Sequence, residues 1–294
     1  GGTNNAADAA ASFSNILNTI YIQDEFLMAD GDLTVVAGLR YDWFTSDDSP
    51  VYNPAFTALN NGLRNDANID GVDLLMPRFG LTWQATDALT LRGGVGLYSG
   101  GNPNVWISNA WSNDGLSNVQ VRDRNDADMS VLTDYQLSGQ GRPGYDVPQS
   151  LKDQVAATTD ANASDSFLVL IDPDYEQASE WKFSLGATWN LADGTTVEGD
   201  YLYSVQNDPA YYVDVSQSVT GTTAAGQPIY SDVRGQSNLM LTNSSESPAS
   251  HAFSLMVNNR YDWGLDWTLG YAYTQAEDVS PMTSAVASSN FSNL

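Results

Sequence analysis

The feature that most constrains the fold is a period-two alternation of apolar and polar residues, sustained over segments of about 9–12 residues. In Leu33 to Trp43 the odd positions are Leu33, Val35, Ala37, Leu39, Tyr41 and Trp43, while the even positions include Thr34, Gly38, Arg40 and Asp42. Phe79, Leu81 and Trp83 oppose Arg78, Gly80 and Thr82. Leu89, Leu91, Val95 and Leu97 oppose Thr90, Arg92, Gly94 and Gly96. Trp181, Phe183, Leu185, Ala187 and Trp189 alternate with Lys182, Ser184, Gly186 and Thr188, and Val197, Tyr201, Tyr203 and Val205 with Glu198, Asp200 and Ser204. Phe253, Leu255 and Val257, then Leu265, Trp267, Leu269, Tyr271 and Tyr273, repeat the scheme. A first strand is less clean, because Asp24 interrupts the face of Ile16, Ile20, Ile22 and Phe26. The pattern predicts eight strands at about 16–28, 32–44, 74–84, 88–98, 180–190, 195–206, 251–261 and 265–275.

Strands of this length suit a bilayer. A tilted strand crosses one in about 9–11 residues, whereas globular strands cluster near about 5–6. The connections also follow one rule. Short turns, Ala29-Asp30-Gly31-Asp32, Gln84 to Ala88, Ala192-Asp193-Gly194 and Asp262-Trp263-Gly264, join the members of each pair. Gly supplies the positive φ of tight hairpins and Asp tolerates it. Long polar segments, about 45–72, 100–179 and 207–250, join one pair to the next. Short turns on one side and long loops on the other mark outer-membrane barrels. Trp83, Trp189 and Trp263 lie near the short turns, and Trp43, Tyr98, Trp181, Tyr203 and Tyr273 near the long loops, as two aromatic girdles would. A soluble β-sandwich or propeller also alternates. Strand length, one-sided loops and aromatics at both strand ends weigh against it. The expected fold is all-β, an antiparallel transmembrane β-barrel wall with long extracellular loops.

Composition narrows the function. Eleven basic residues face 36 acidic ones, a formal net charge of −25. So few cations cannot replace counterions along a phosphate backbone, so no nucleic-acid partner is expected. Thirty-two aromatic residues argue against disorder. Cysteine is absent and His251 is the lone histidine, so thiolate and imidazole metal clusters have no ligands within these 294 residues. No run approaches the roughly 18 apolar residues of a membrane helix. The 80-residue segment 100–179 is large for an eight-stranded barrel, and the sequence ends in a polar stretch. Both lead to the expectation of a piece of a larger barrel, lacking plug and C-terminal strands.

The run Tyr21-Ile22-Gln23-Asp24-Glu25-Phe26, followed by Leu33-Thr34-Val35-Val36-Ala37-Gly38-Leu39-Arg40-Tyr41-Asp42, resembles a hairpin of TonB-dependent outer-membrane receptors. Pro77 to Trp83 with Leu89 to Gly96 resembles their next hairpin. Gly100-Gly101-Asn102-Pro103-Asn104 and Ala285 to Phe291 are similar to the Oar-like subgroup, whose members carry a carboxypeptidase-regulatory-like domain. The resemblance covers about 16–98 and 180–291. It implies a barrel of 22 strands around a plug, and partners in that plug and the TonB complex, through parts outside these residues. It also implies uptake of a scarce nutrient, a siderophore, oligosaccharide or peptide, without a covalent reaction.

Candidate chemistry is sparse. No Gly-x-Ser-x-Gly elbow occurs, and no serine can be singled out beside His251. Gly93-Gly94-Val95-Gly96 lies within a strand, where a phosphate-binding turn does not belong. Asp123, Asn125, Asp126 and Asp128 form an oxygen-rich set that calcium favours, but EF-hand spacing fails; a solvated acidic loop is the plainer reading. No other cofactor is expected. Arg40, Arg78, Arg92 and Lys182 alternate onto the polar face with Glu198 and Asp200, where they pair across strands, hold a plug or line a path for anions. Trp106, Trp111, Tyr145, Tyr211 and Tyr212 are the loop aromatics placed to grip a ligand, or to form small cores of the loops' own.

Two other functions fit this pattern: a complete small barrel serving as adhesin or structural porin, and a soluble β-rich carbohydrate-binding module. Segments 100–179 and 207–250 hold 16 acidic residues against 5 basic ones. An acidic outer face of that kind suggests contact with lipopolysaccharide, bridged by divalent cations.

Overall fold

The computed structural model describes residues 5, 7, 10–118, 149–157, 168–232 and 237–292. Its main body is one eight-stranded antiparallel sheet. The strands are β1 (Ile16–Met28), β2 (Leu33–Thr45), β3 (Asp73–Thr86), β4 (Leu89–Tyr98), β6 (Ser179–Asn190), β7 (Thr196–Asn207), β12 (Ala249–Arg260) and β13 (Asp266–Ala276). Each neighbour in that order is hydrogen-bonded to the next. Every expected strand is present, with ends within two residues of the expected span. Strands β1 and β13 are paired on one side only, so the sheet is open among the described residues.

Register sorts the side chains. Cα partners in an antiparallel pair share a face. Ile22 pairs with Leu39, Leu39 with Pro77, Phe79 with Val95, Val95 with Phe183, Phe183 with Tyr203, and Phe253 with Tyr201 and Tyr273. These residues form one apolar face, and much of it is exposed. So large a contiguous apolar surface meets lipid or a partner, not water. Among the described residues no helix is long and apolar enough to cross a membrane.

The described parts of the long segments do not trail as open loops. They fold into a cap at the long-loop end of the sheet. Strands β5 (Leu168–Ile171), β8 (Ala210–Asp214) and β11 (Asn238–Asn243) make a second sheet with β11 central, parallel to β5 and antiparallel to β8. Helices α1 (Pro54–Leu59), α2 (Asn104–Ser112), α3 (Gln149–Ala156) and α4 (Ala287–Ser292), and the hairpin β9 (Gln217–Thr222) to β10 (Pro228–Asp232), complete the described parts. Helix α1 starts where Asn53 accepts a hydrogen bond from the Phe56 amide at 3.0 Å and Pro54 pre-sets the first turn. The cap core gathers Ile69, Ile107, Trp111, Val169, Leu239 and Leu241, and Phe44 from β2 joins it. Even-numbered Phe44 belongs to the polar face of the sheet, so the cap is anchored on that face.

Buried asparagines tie the cap segments together. Asn109 of α2 donates to the Ala285 carbonyl at 2.8 Å and accepts from the Ala287 amide at 3.1 Å. Asn53 donates to the Asp114 carbonyl at 3.2 Å, and its amide donates to Asn65 at 2.8 Å. A buried polar group left without such partners costs about 1–3 kcal/mol, so these bonds fix which segments meet.

Candidate lumen site and loop cap

The polar face carries two clusters of charge. At the first, Arg92 of β4 reaches across β6 to β7. Its Nη2 donates to Glu198 at 2.9 Å and to Asp200 at 3.0 Å, and its Nη1 to Thr188 at 2.7 Å. Gly186 lies between them in register, paired with Arg92 on one side and Asp200 on the other. A Cβ at Gly186 would collide with the Asp200 carboxylate and stand 3.2 Å from the guanidinium. The missing side chain is therefore what lets the ion pair bridge three strands. A groove of about 350 Å³ opens here, lined by Thr34, Thr82, Arg92, Gly186 and Asp200 among others.

The second cluster lies closer to the cap. Arg78, Gly96, Lys182, Ser204 and Ser250 are successive register partners across β3, β4, β6, β7 and β12. The guanidinium of Arg78 sits over the Tyr98 ring, 4.5 Å from its centroid. The ring is accommodated by Gly96, where a Cβ would meet Tyr98 at 2.9 Å. Lys182 pairs with Glu180 at 3.1 Å, and Ser204 and Ser250 are hydrogen-bonded at 2.6 Å. Further toward β1, Arg40 is held by Asp42 at 2.8 Å. All six charged candidates thus share one face, and three of them, Arg92, Glu198 and Asp200, meet directly.

The family model for the outer membrane beta barrel domain matches residues 2–293. The chain belongs to that family. Its sheet is thus a stretch of bacterial outer-membrane barrel wall, with the exposed apolar face toward lipid and the polar face toward the lumen. No curated protein matches the chain. Among solved structures it is similar to the FrpB iron transporter from Neisseria meningitidis (F3-3 variant), at 13% identity and a TM-score of 0.46, over 90% of this chain and 26% of that one. It is also similar to the siderophore receptor PirA from Acinetobacter baumannii, at 14% identity and a TM-score of 0.49, over 90% of this chain and 28% of that one. The outer membrane transporter YddB from Escherichia coli matches at 13% identity and a TM-score of 0.49, over 89% and 24% of the two chains. This chain spans about a quarter to a third of the length of such structures.

The cap places the loop aromatics unequally. Trp111 and Tyr212 are interior residues of the cap, at 8% and 1% exposure, and present little surface to a ligand. Trp111 stacks on Phe13 with centroids 4.4 Å apart. The hydroxyl of Tyr212 donates to the Trp106 carbonyl at 3.2 Å, and burial raises its pKa, as it does for Tyr175. Trp106 packs against the same core while partly exposed, and Tyr211 is half-buried on β8. Tyr145 and the oxygen-rich set Asp123, Asn125, Asp126 and Asp128 lie outside the described residues. Among the described residues no group of three or more His, Cys, Asp or Glu side chains is placed to hold a metal.

Tyr98 departs from its expected place in the girdle. It pairs with Glu180 and turns to the lumen, where it carries Arg78. Its even position, shared with Arg92 and Gly94, is the signal that aromatic character masks. The other girdle strand residues, Trp43, Trp83, Trp181, Trp189, Tyr203 and Tyr273, keep the register of the lipid face. His251 shares that face, and its Nδ1 is 2.7 Å from the Tyr201 hydroxyl.

Proposed function

We propose that these strands form part of the wall of a TonB-dependent receptor of the Oar-like kind, one that takes up a scarce nutrient across the outer membrane. The observation that carries this reading is the pairing of a lipid-facing apolar wall with a charged lumen face, with a folded cap at the long-loop end. A barrel in lipid cannot leave backbone groups unpaired at an open edge. The free edges of β1 and β13 therefore call for further strands, as a large receptor barrel supplies. The hairpin residues Tyr21 to Phe26 and Leu33 to Asp42 support the receptor assignment, and Gly100 to Asn104 with Ala285 to Phe291 support the subgroup. The cap and lumen would select the solute, whether siderophore, oligosaccharide or peptide. Plug and TonB partners would supply the energy, and no bond in the solute is made or broken. Lipopolysaccharide would meet the acidic outer segments through divalent cations, and calcium at Asp123, Asn125, Asp126 and Asp128 is part of the same proposal.

The test is uptake by cells with and without the intact protein, under limitation of iron, oligosaccharide or peptide. The receptor reading expects one limitation to expose a growth defect in the deletion strain, and expects dissipation of the proton-motive force to abolish the restored uptake. Restored uptake that persists without that force would point to a passive porin. Absence of a defect under any limitation, with adhesion lost instead, would favour the adhesin.

A further inference from the structure

We infer that Asp24 is the docking point for the strand that borders β1 in the complete barrel, and that this strand presents an Arg or Lys to it on the lipid side. The inference rests on the reading of these strands as part of a larger barrel, and it names the chemistry of the neighbour at one free edge. Asp24 pairs in register with Ala37, Ala37 with Phe79, and Phe79 with Val95, so its side chain belongs to the lipid face. On β1 it is flanked on that face by Ile22 and Phe26, 72% and 46% exposed. It lies four residues from Met28, where β1 meets the short turn. At about 3.3 Å per residue and a tilt of about 40°, that is about 10 Å up the wall, within the apolar band. By register, the lipid side of the eight strands holds one other acid, Asp73. Asp73 opens β3 at the long-loop end and accepts a hydrogen bond from the Tyr41 hydroxyl at 2.5 Å.

A carboxylate at that depth is costly unless it is paired, and ionisable groups in membranes pair with one another or with backbone. Among the described residues Asp24 has no ion pair, and its hydrogen-bond donor is the neighbouring Glu25 amide, at 2.9 Å. That amide is neutral and serves one oxygen. The β2 side offers only Val35, Ala37 and Leu39, all apolar. The remaining side is the free edge of β1. The unmatched acid thus stands on a strand whose second neighbour lies beyond this sheet. On the six inner strands the lipid side carries no acid between its ends. A hydroxyl from the bordering strand would leave the negative charge facing lipid, whereas a cation cancels it. Side chains directly opposed across a strand pair stand about 4.5–5.5 Å apart at Cβ, within reach of Arg or Lys. The pair also sets register. Side chains alternate, so a slip of one residue would turn the cation to the lumen and leave Asp24 bare in lipid. Water screens such an error on the lumen face, and lipid does not.

The experiment is denaturant unfolding of the full-length protein in liposomes, joined to photocrosslinking in the outer membrane. An unpaired acid facing lipid and a paired one differ in the sign of a single substitution. Asp24→Leu is expected to lower the folding equilibrium constant about tenfold, which corresponds to about 1.4 kcal/mol, because the partner's cation is then stranded. Asp24→Asn should lower it less. A benzoylphenylalanine in place of Ile22, on the same face, should crosslink to the same polypeptide, in a strand that carries an Arg or Lys. Asp24→Arg combined with an Asp at that cation's position should recover stability that each change alone loses. Asp24→Leu that stabilises the protein, or leaves it unchanged, overturns the inference. So do adducts confined to lipid or to a separate protein, or a bordering strand with no cation. Leu185→Asp separates this failure from failure of the wall itself. It puts an acid on the same face of an inner strand and should destabilise whether or not Asp24 is paired. Uptake is read in neither arm, so the receptor reading stands or falls on its own test.

Discussion

In the wall, Ile22, Leu185 and Leu269 are 72%, 65% and 68% exposed, while in the cap Ile171, Leu241 and Tyr212 are 1% exposed. One chain thus turns its apolar residues outward in one region and inward in the other. The difference lies in the solvent each region meets. Lipid takes the place of a core for the wall, so strands need only backbone pairing and an apolar outer face. The cap meets water, so it must build its own interior from segments that are far apart in sequence. The same aromatic residue type therefore means a girdle at Trp189 and a core at Trp111.

The sharpest way to break the comparison is to remove one apolar side chain from the cap. Leu241→Ala takes a buried side chain from the central strand of the cap sheet and should cost the cap about 2–5 kcal/mol. Hydrogen exchange should then show early opening of 168–171, 210–214 and 238–243, with the wall still resistant to heat in detergent. A charge on the lipid face should do the reverse. Leu185→Arg is expected to destabilise the wall by about 2–4 kcal/mol if the residue sits near the bilayer midplane, measured by denaturant unfolding in liposomes. A soluble sheet would accept that arginine on an exposed position with little change.

Inside the wall the expected effect is smaller. Gly186→Ala inserts a Cβ between Arg92 and Asp200 and should cost about 1–3 kcal/mol by displacing the ion pair. Combining it with Asp200→Ala should recover part of that loss, because the carboxylate that the Cβ displaces is then gone. The smallest effect concerns the outer surface. Arg64 donates to Asp66 through Nε at 2.9 Å and holds its carboxyl below the usual carboxylate range. A lowered folded-state pKa contributes stability above the unfolded pKa, and this is lost as pH falls through the folded value. The pair is solvent-screened, so Asp66→Asn should change cap stability by less than about 1 kcal/mol at neutral pH and by nothing in strong acid. Thermal melts across that pH range check it.

The wall was legible in the sequence because lipid on one side and lumen on the other imprint a strict alternation on every strand. Asp24 blurred β1 without hiding it: Ile20, Ile22 and Phe26 keep the register of the lipid face beside it. The cap was not legible. Leu168–Ile171 is four apolar residues with no alternation, because β5 is buried on both faces, and a run so short reads equally as helix, strand or loop. Its companions β8 and β11 are five and six residues long and lie some 40 or more positions away. Asn53, Asn109 and Asn238 look like loop residues by composition, yet they are buried connectors between cap segments. The lumen charges could be placed on one face by counting in twos. Their partners could not, since strand order across the long segments decides that Arg92 meets Asp200 and that Arg78 meets no acid among the described residues.

The central claim, that odd and even residues of β6 and β7 face lipid and lumen respectively, has one direct measurement. These 294 residues contain no cysteine, so single cysteines at positions 182 to 188 and 197 to 205 of the full-length protein can carry a spin label without background from this region. Power-saturation spectroscopy in liposomes then compares collision with oxygen, which concentrates in lipid, against collision with a water-soluble nickel complex. The account expects an alternation with period two: oxygen high at 183, 185, 187, 201 and 203, nickel high at 182, 184, 188, 200 and 204. Uniform nickel access at every position, or a lipid signal with no alternation, would contradict it.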